Sequence, residues 1–149
     1  MIAVIEMPKG ETVRRHKDKH GEGLIELGLI KDAIPVNGGV NPVHYGYIPD
    51  THNPSDDDEL DVIVISKEAD AIGQEVAVTP IALLRRADHD DKIVAVPEDE
   101  KEISSWEDVE QGERDLILQF YSFHHAITAI ENSAKASEYI EKVKNHIDM

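Results

Sequence analysis

Asp56-Asp57-Asp58-Glu59-Leu60-Asp61 runs without a break into Val62-Ile63-Val64-Ile65. Five of the first six residues are acidic, and carboxylates this close repel one another unless cations sit among them. The next four are apolar and β-branched, which predicts a buried strand. The acidic cluster therefore ends in a rigid element. Hard oxygen ligands delivered by a loop onto a strand suit Mg2+, Mn2+ or another hard divalent ion. An EF-hand is excluded: counting from Asp56, the required Gly and Glu are replaced by Asp61 and Lys67. In an extended chain Asp56 and Asp58 share a face and Asp61 opposes them. A turn or bulge before Asp61 is needed to bring all three together. The plain alternative is a solvated acidic turn.

A second acidic loop, Asp88-His89-Asp90-Asp91, also enters a strand directly, Lys92-Ile93-Val94-Ala95-Val96. Two acidic loops feeding two strands can close a two-metal site with Lys92 beside it. Upstream, Ile2 to Met7 reads as a strand stopped by Pro8. Arg14 to His20 is a basic patch on a strand and hairpin, with its tip at His20-Gly21-Glu22-Gly23, and Leu24 to Leu27 returns. Residues 31–55 contain Pro35, Pro42, Pro49 and Pro54 and read as a long irregular segment, the kind of loop that carries function. Within it, Tyr45-Gly46-Tyr47 can present a phenol to a ligand. Gly73 to Val78 reads as a strand broken by Thr79-Pro80, with Ile81 to Leu84 as the next.

The last third changes period. Ser105-Trp106-Glu107-Asp108 resembles a helix cap with its acid three residues on. Leu116, Ile117, Phe120, Tyr121, Phe123 and His124 predict an amphipathic helix over about Gly112 to Glu131. Ser133 is placed to cap a second helix from about Ala134 to Ile147. Strands first and helices last predict a single mainly β domain over 1–149, a small barrel or curled sheet with C-terminal helices packed outside.

The chain of 149 residues has 31 Asp plus Glu against 15 Lys plus Arg, a net charge of −16. Bulk electrostatics therefore oppose binding to nucleic acid or to an anionic membrane surface. An anionic substrate needs metal to invert the local field. Without cysteine there is no disulfide or thiol chemistry, which suits a reducing cytoplasm. No apolar run reaches 18 residues, so no spanning helix is expected, and Met1 to Ile5 lacks the features of a signal peptide. Carboxylates together with Lys, Arg and Tyr form the inventory of phosphoryl chemistry: metals activate water, and cations and a phenol hold the leaving group.

These stretches resemble a known family. Asp56-Asp57-Asp58-Glu59-Leu60-Asp61-Val62 is similar to the signature of the family I soluble inorganic pyrophosphatases. Asn41-Pro42-Val43-His44-Tyr45-Gly46-Tyr47-Ile48-Pro49 resembles the stretch that precedes it. Asp90-Asp91-Lys92-Ile93-Val94-Ala95-Val96-Pro97 resembles the later Asp-x-Lys motif, and Val4-Ile5-Glu6-Met7-Pro8 the opening one. The resemblance implies an OB-type five-stranded barrel flanked by two α-helices, and a Mg2+-dependent hydrolysis of pyrophosphate. It implies that Asp56, Asp61 and Asp90 bind metal and that Asp58 is the base beside the metal-bound water. Tyr45 and Lys92 would hold phosphate, with Glu6 at the edge of the site. A cytoplasmic homo-oligomer follows by the same analogy, hexameric as in many prokaryotic members.

The departures lie around the substrate. Where the family has a basic residue and then an acid on its second strand, this chain has Arg15 and Lys17. The family's arginine on the next strand has no clean match near Lys31 to Ala33. Asn41 and Arg85 replace a tyrosine and an acid, and His124-His125 replace a tyrosine–lysine pair. Asp88 is placed to stand in for the missing acid as a metal ligand, and Arg15 and His124 to complete the phosphate clamp. Two alternatives remain open on the sequence: hydrolysis of another phosphoanhydride, or a catalytically weak OB-type protein that binds metal or phosphate.

Overall fold

The computed structural model describes residues 1–17, 23–55 and 58–144. The strands are β1 (Ile2–Met7), β2 (Val13–Lys17), β3 (Leu24–Leu29), β4 (His44–Asn53), β5 (Asp58–Val64), β6 (Glu75–Arg86), β7 (Lys92–Pro97) and β8 (Ile127–Asn132). The helices are α1 (Gln111–Tyr121) and α2 (Ser133–Val143). β1, β4, β5, β7 and β6 are neighbours in that order, and a further β1–β6 pairing closes them into a five-strand barrel. β8 adds to β6, and β2 with β3 forms a separate hairpin.

β5 and β7 are the parallel pair. Both read as unbroken apolar runs because both of their faces are covered. Val62, Val64, Ile93 and Ala95 join Ala3, Ile5, Ile48 and Leu83 in one core. That core draws on every barrel strand, so it fills the barrel, and Ala136 and Ile140 of α2 pack on it. The alternate residues Ile63, Ile65, Val94 and Val96 join Trp106 with Ile117 and Phe120 of α1 in a second core. Side chains such as Ile63 and Ile93, with no exposed surface, each contribute about 1.5–3 kcal/mol by burial. β1 crosses β4 closely at Gly46, where a Cβ would meet the Val4 carbonyl oxygen at 1.8 Å. Only glycine fits there, so Tyr45 and Tyr47 are set on a backbone that cannot drift.

Several expectations are corrected. β4 occupies much of the segment read as irregular. Its Pro49 falls between Ile48 and Asn53, where the ladder to β5 is interrupted, so the missing N–H breaks no sheet bond. β6 is one continuous strand through Thr79-Pro80, with a register shift between Pro80 and Ala82 that accommodates the proline. α1 stops at Tyr121 rather than near Glu131, because Ile127–Asn132 is captured as β8 by β6. Tertiary pairing there overrides a helical spacing. The second helix ends at Val143, short of Ile147, and its cap is Asn132, whose Oδ1 accepts the Lys135 N–H at 3.0 Å. The Ser105/Asp108 capping box is present, on a short 3-10 turn at Trp106–Asp108. The hairpin tip from His20 to Glu22 lies outside the described residues.

Candidate active site

Parallel strands begin at the same edge of a sheet, so the acidic approaches to β5 and β7 meet. Their register sets Val62 opposite Ile93 and thereby Asp61 next to Lys92. Lys92 Nζ donates to Tyr45 Oη at 2.9 Å, Asp61 Oδ2 at 3.0 Å and Asp90 Oδ2 at 3.4 Å. This ammonium is almost fully buried, and the three oxygens replace the water it has lost.

The Asp88–Asp91 loop is pinned from several sides. His89 takes a positive φ of 64°, and the Asp90 N–H donates to Asp88 Oδ1 at 3.1 Å. Buried Asn53 donates from Nδ2 to Asp90 Oδ1 at 2.8 Å. Arg85 donates from Nη1 to Asp91 Oδ2 at 3.0 Å and also engages Glu131. Arg85, which replaces an acid of the resembled family, is therefore turned away from Asp88 and Asp90. Arg86 is turned toward them, its Nη1 3.6 Å from Asp90 Oδ2 and 3.7 Å from Asp88 Oδ2.

Asp58 opens β5 and meets His16 of β2, with Nε2 3.0 Å from its Oδ2. Burial, then a hydrogen bond with Glu59, raises the Asp58 carboxyl above its ordinary value. Burial also raises Asp88, but the Asp90 N–H, Arg86 and His125 outweigh it and leave that carboxyl low. Tyr45 is pushed well above the usual phenol value, first by burial and then by Asp61. Tyr121, stacked on it with ring centroids 5.7 Å apart, is raised by burial and by Asp61. Both phenols keep their protons at neutral pH and so can donate. The bulge expected before Asp61 lies in the partner strand instead: Ile48 pairs with Leu60 and Asn53 with Asp58, so β4 carries the extra residues.

A cavity of about 280 Å³ opens at this edge. Of the residues expected to act, Arg15, Tyr45, Asp61, Asp90, Lys92 and His124 line it. Asp58 and Asp88 reach it through His16 and Arg86, which line it themselves. Glu6 is 1% exposed in the register shift of β1, next to the lining residue Met7. Asp56 lies outside the described residues. Asn41, which stands where the resembled family has tyrosine, is buried and donates from Nδ2 to the Met7 carbonyl at 2.7 Å.

His124 lines the cavity from a turn beyond α1, not from a helix face, and its Nε2 is 2.6 Å from the Ala33 carbonyl oxygen. His125 turns to Asp88, 3.6 Å away. Sequence reasoning missed Arg86, Tyr121 and Asn53 as site residues, and took His16 only as part of a basic patch. Strand alternation from Arg85 was the one available signal for Arg86.

Carboxylate oxygens are the donors a hard divalent cation takes. Asp61 and Asp90 already share one cation, the Lys92 ammonium, so the pair is close enough to share a divalent ion. The residues fit such an ion there. Among the described residues, no group of three His, Asp or Glu side chains is arranged to hold a metal unaided.

The family model described as inorganic pyrophosphatase matches residues 3–148. The inorganic pyrophosphatase of Aquifex pyrophilus is 28% identical, covering 99% of this chain and 88% of that protein. The one from Sulfolobus acidocaldarius is 31% identical, covering 81% and 71%. Among solved structures, the inorganic pyrophosphatase of Ehrlichia chaffeensis superposes with a TM-score of 0.86 at 23% identity, over 96% of this chain and 92% of that one. That last likeness speaks to the fold.

Proposed function

Because the chain belongs to the inorganic pyrophosphatase family, we propose that its cavity hydrolyses pyrophosphate to two phosphates, with the residues named above, His124 excepted, in their expected roles. The observation that carries this reading is the Tyr45–Lys92–Asp61–Asp90 cluster at the shared edge of β5 and β7. It joins phosphate donors to carboxylates in one small space. Lys92 and the protonated Tyr45 hold phosphoryl oxygens; Lys92 donates to the tyrosine oxygen, and the phenol itself lies in hydrogen-bond contact with Asp61. Asp58, its carboxyl raised by burial, accepts the proton of a water that attacks one phosphorus in line. The bond to the bridging oxygen breaks, and the second phosphate departs within reach of the β2 cations.

Asp61 and Asp90, with Asp58 and Asp88 nearby, are the residues that would hold Mg2+, and the family resemblance adds Asp56 to them. When bound, such an ion lowers the pKa of a water and offsets phosphate charge. A cytoplasmic homo-oligomer, hexameric by the family analogy, belongs to the same proposal, and sedimentation tests its assembly. No described helix is long and apolar enough to cross a membrane. The deciding experiment measures phosphate release with Mg2+ from pyrophosphate, ATP and polyphosphate side by side. Release from pyrophosphate at more than about a hundredfold the rate from the others is expected. Preference for another anhydride, or no release at all, overturns the reading.

A further inference from the structure

We infer that Arg86, with the hydroxyl of Tyr121, forms a phosphate seat in this cavity at positions outside the motifs that carry the family resemblance. The inference rests on the pyrophosphatase reading and specifies how that site holds its substrate. Consecutive residues of a strand face opposite ways. Arg85 goes to Glu131, Asp91 and the face of Tyr139, so Arg86 goes to the cavity. The β6–β8 register shifts between these two residues, and such a shift re-aims side chains.

The Arg86 side chain is 11% exposed. Its contacts with Asp88 and Asp90, at 3.7 and 3.6 Å, are ion pairs beyond hydrogen-bond length. Nε has no hydrogen-bond partner among the described residues, and neither has the Tyr121 hydroxyl. Tyr121 also lies within the electrostatic reach of Arg86. Buried donors are nearly always matched with acceptors. Two unmatched donors in the wall of one cavity therefore point to an acceptor that arrives from outside. A tetrahedral oxyanion fits: the guanidinium fork takes phosphate oxygens in pairs, and the phenol supplies one more donor. Asp88 and Asp90 hold the fork in place and keep it from collapsing onto the barrel. The seat supplies donors on the side where the family's own arginine, and its tyrosine–lysine pair, have no match in this chain.

The test is calorimetric binding of inorganic phosphate, run beside the KM for pyrophosphate, on the full chain and on Arg86→Met, Arg86→Lys and Tyr121→Phe. A hydrogen bond to a charged group corresponds to a loss of roughly 10- to 100-fold in affinity. Arg86→Met should weaken phosphate binding and raise KM by that range. Arg86→Lys should recover only part, since a point charge cannot fork. Tyr121→Phe, which keeps the ring stack on Tyr45, should cost about 10-fold. If Arg86→Met folds poorly, the two conservative variants decide. Phosphate affinity unchanged in both Arg86→Lys and Tyr121→Phe overturns the seat, as does a melting temperature lowered by Arg86→Met with affinity intact. Wild-type protein that binds phosphate through Arg86 yet releases none from pyrophosphate would instead overturn the proposed function and leave the seat standing.

Discussion

Asp61, Asp90, Lys92 and Tyr45 stand on or beside strands of the closed barrel, whereas Arg14, Arg15, His16 and His124 stand on a two-stranded hairpin and on a turn past a helix end. Both sets face one cavity, but they are held differently. β5 and β7 send alternate residues into two cores, so neither strand can shift without opening both. The hairpin leaves Ile25 and Leu27 45% exposed and joins the acids mainly through ion pairs. The family motifs persist on the first side, and most departures fall outside it. Chemistry that must stay fixed is built where packing forbids movement, and the hairpin and the turn are freer to vary.

The hardest blow to this contrast comes at Lys92. Replacing it with Met leaves Asp61 and Asp90 facing one another without their shared cation. Removing one partner of a buried pair costs about 3–5 kcal/mol, and the low end applies because both acids keep some water. Chemical denaturation should show that loss without Mg2+, and phosphate release should fall as well. A Lys92→Met protein of unchanged stability would mean that the barrel side is no more rigid than the hairpin. Next in size is Asp58→Asn. It should retain the fold and lower kcat by roughly 100-fold or more, the scale of general-base loss. A rate unchanged at saturating pyrophosphate and Mg2+ would remove Asp58 from the reaction.

Metal sharpens the same contrast. Mg2+ that binds the folded chain only should stabilise it by about 2.7 kcal/mol at a hundred times its Kd, a rise of roughly 2–4 °C per kcal/mol for a chain this size. Asp61→Ala should abolish most of that rise in a thermal melt, and it should also lower the stability of the metal-free protein, because buried Lys92 loses its nearer carboxylate partner. A wild-type melt indifferent to millimolar Mg2+ would return the acidic run to a solvated turn.

The parts legible in the sequence are those where local pattern and tertiary role agree. The runs at 62–65 and 92–96 read as buried strands because burial on both faces removes alternation. Asp61, Asp90, Lys92 and Tyr45 follow from motifs on those runs and beside Gly46. What escaped was decided by neighbours distant in the chain. β4 was hidden by Pro49, which is tolerated only because the β5 ladder is interrupted there. β8 carries helical spacing and becomes a strand because β6 offers an edge. Arg86 and Arg85 are alike as letters, and strand alternation, the register shift and Asp91 together separate their directions. His16 looked like one charge in a patch until its hairpin was folded against Asp58.

Acid pH probes the hairpin side. Burial alone raises the Glu11 carboxyl, but the N–H groups of Val13 and Thr12 and the Arg15 guanidinium outweigh it and hold the carboxyl low. A depressed value means the folded chain favours the charged form. Its stabilising contribution is complete above the unfolded Glu value of about 4.3 and is lost as pH falls through the lower folded value. Glu11→Gln should flatten that acid limb in hydrogen exchange of the hairpin amides. The same limb in wild type and variant would show that charge does not hold the hairpin.

The smallest effect is expected at His124, and it separates a clamp from a latch. The Ala33 carbonyl can only accept, so the ring proton facing it sits on Nε2. That bond joins the turn after α1 to a residue 91 positions earlier, which also lines the cavity, and it occupies the Nε2 proton. His124 then closes the cavity's rim rather than gripping substrate. Loss of one neutral hydrogen bond, about 0.5–1.5 kcal/mol, predicts that His124→Ala raises KM by roughly 2- to 10-fold with kcat nearly constant. His124→Gln, whose amide can still donate to Ala33, should lie closer to wild type than His124→Ala. Steady-state kinetics on both variants beside Arg86→Met checks the ordering. If His124→Gln raises KM more than Arg86→Met does, the histidine is a phosphate ligand, and the turn side of the cavity carries recognition as specific as any on the barrel.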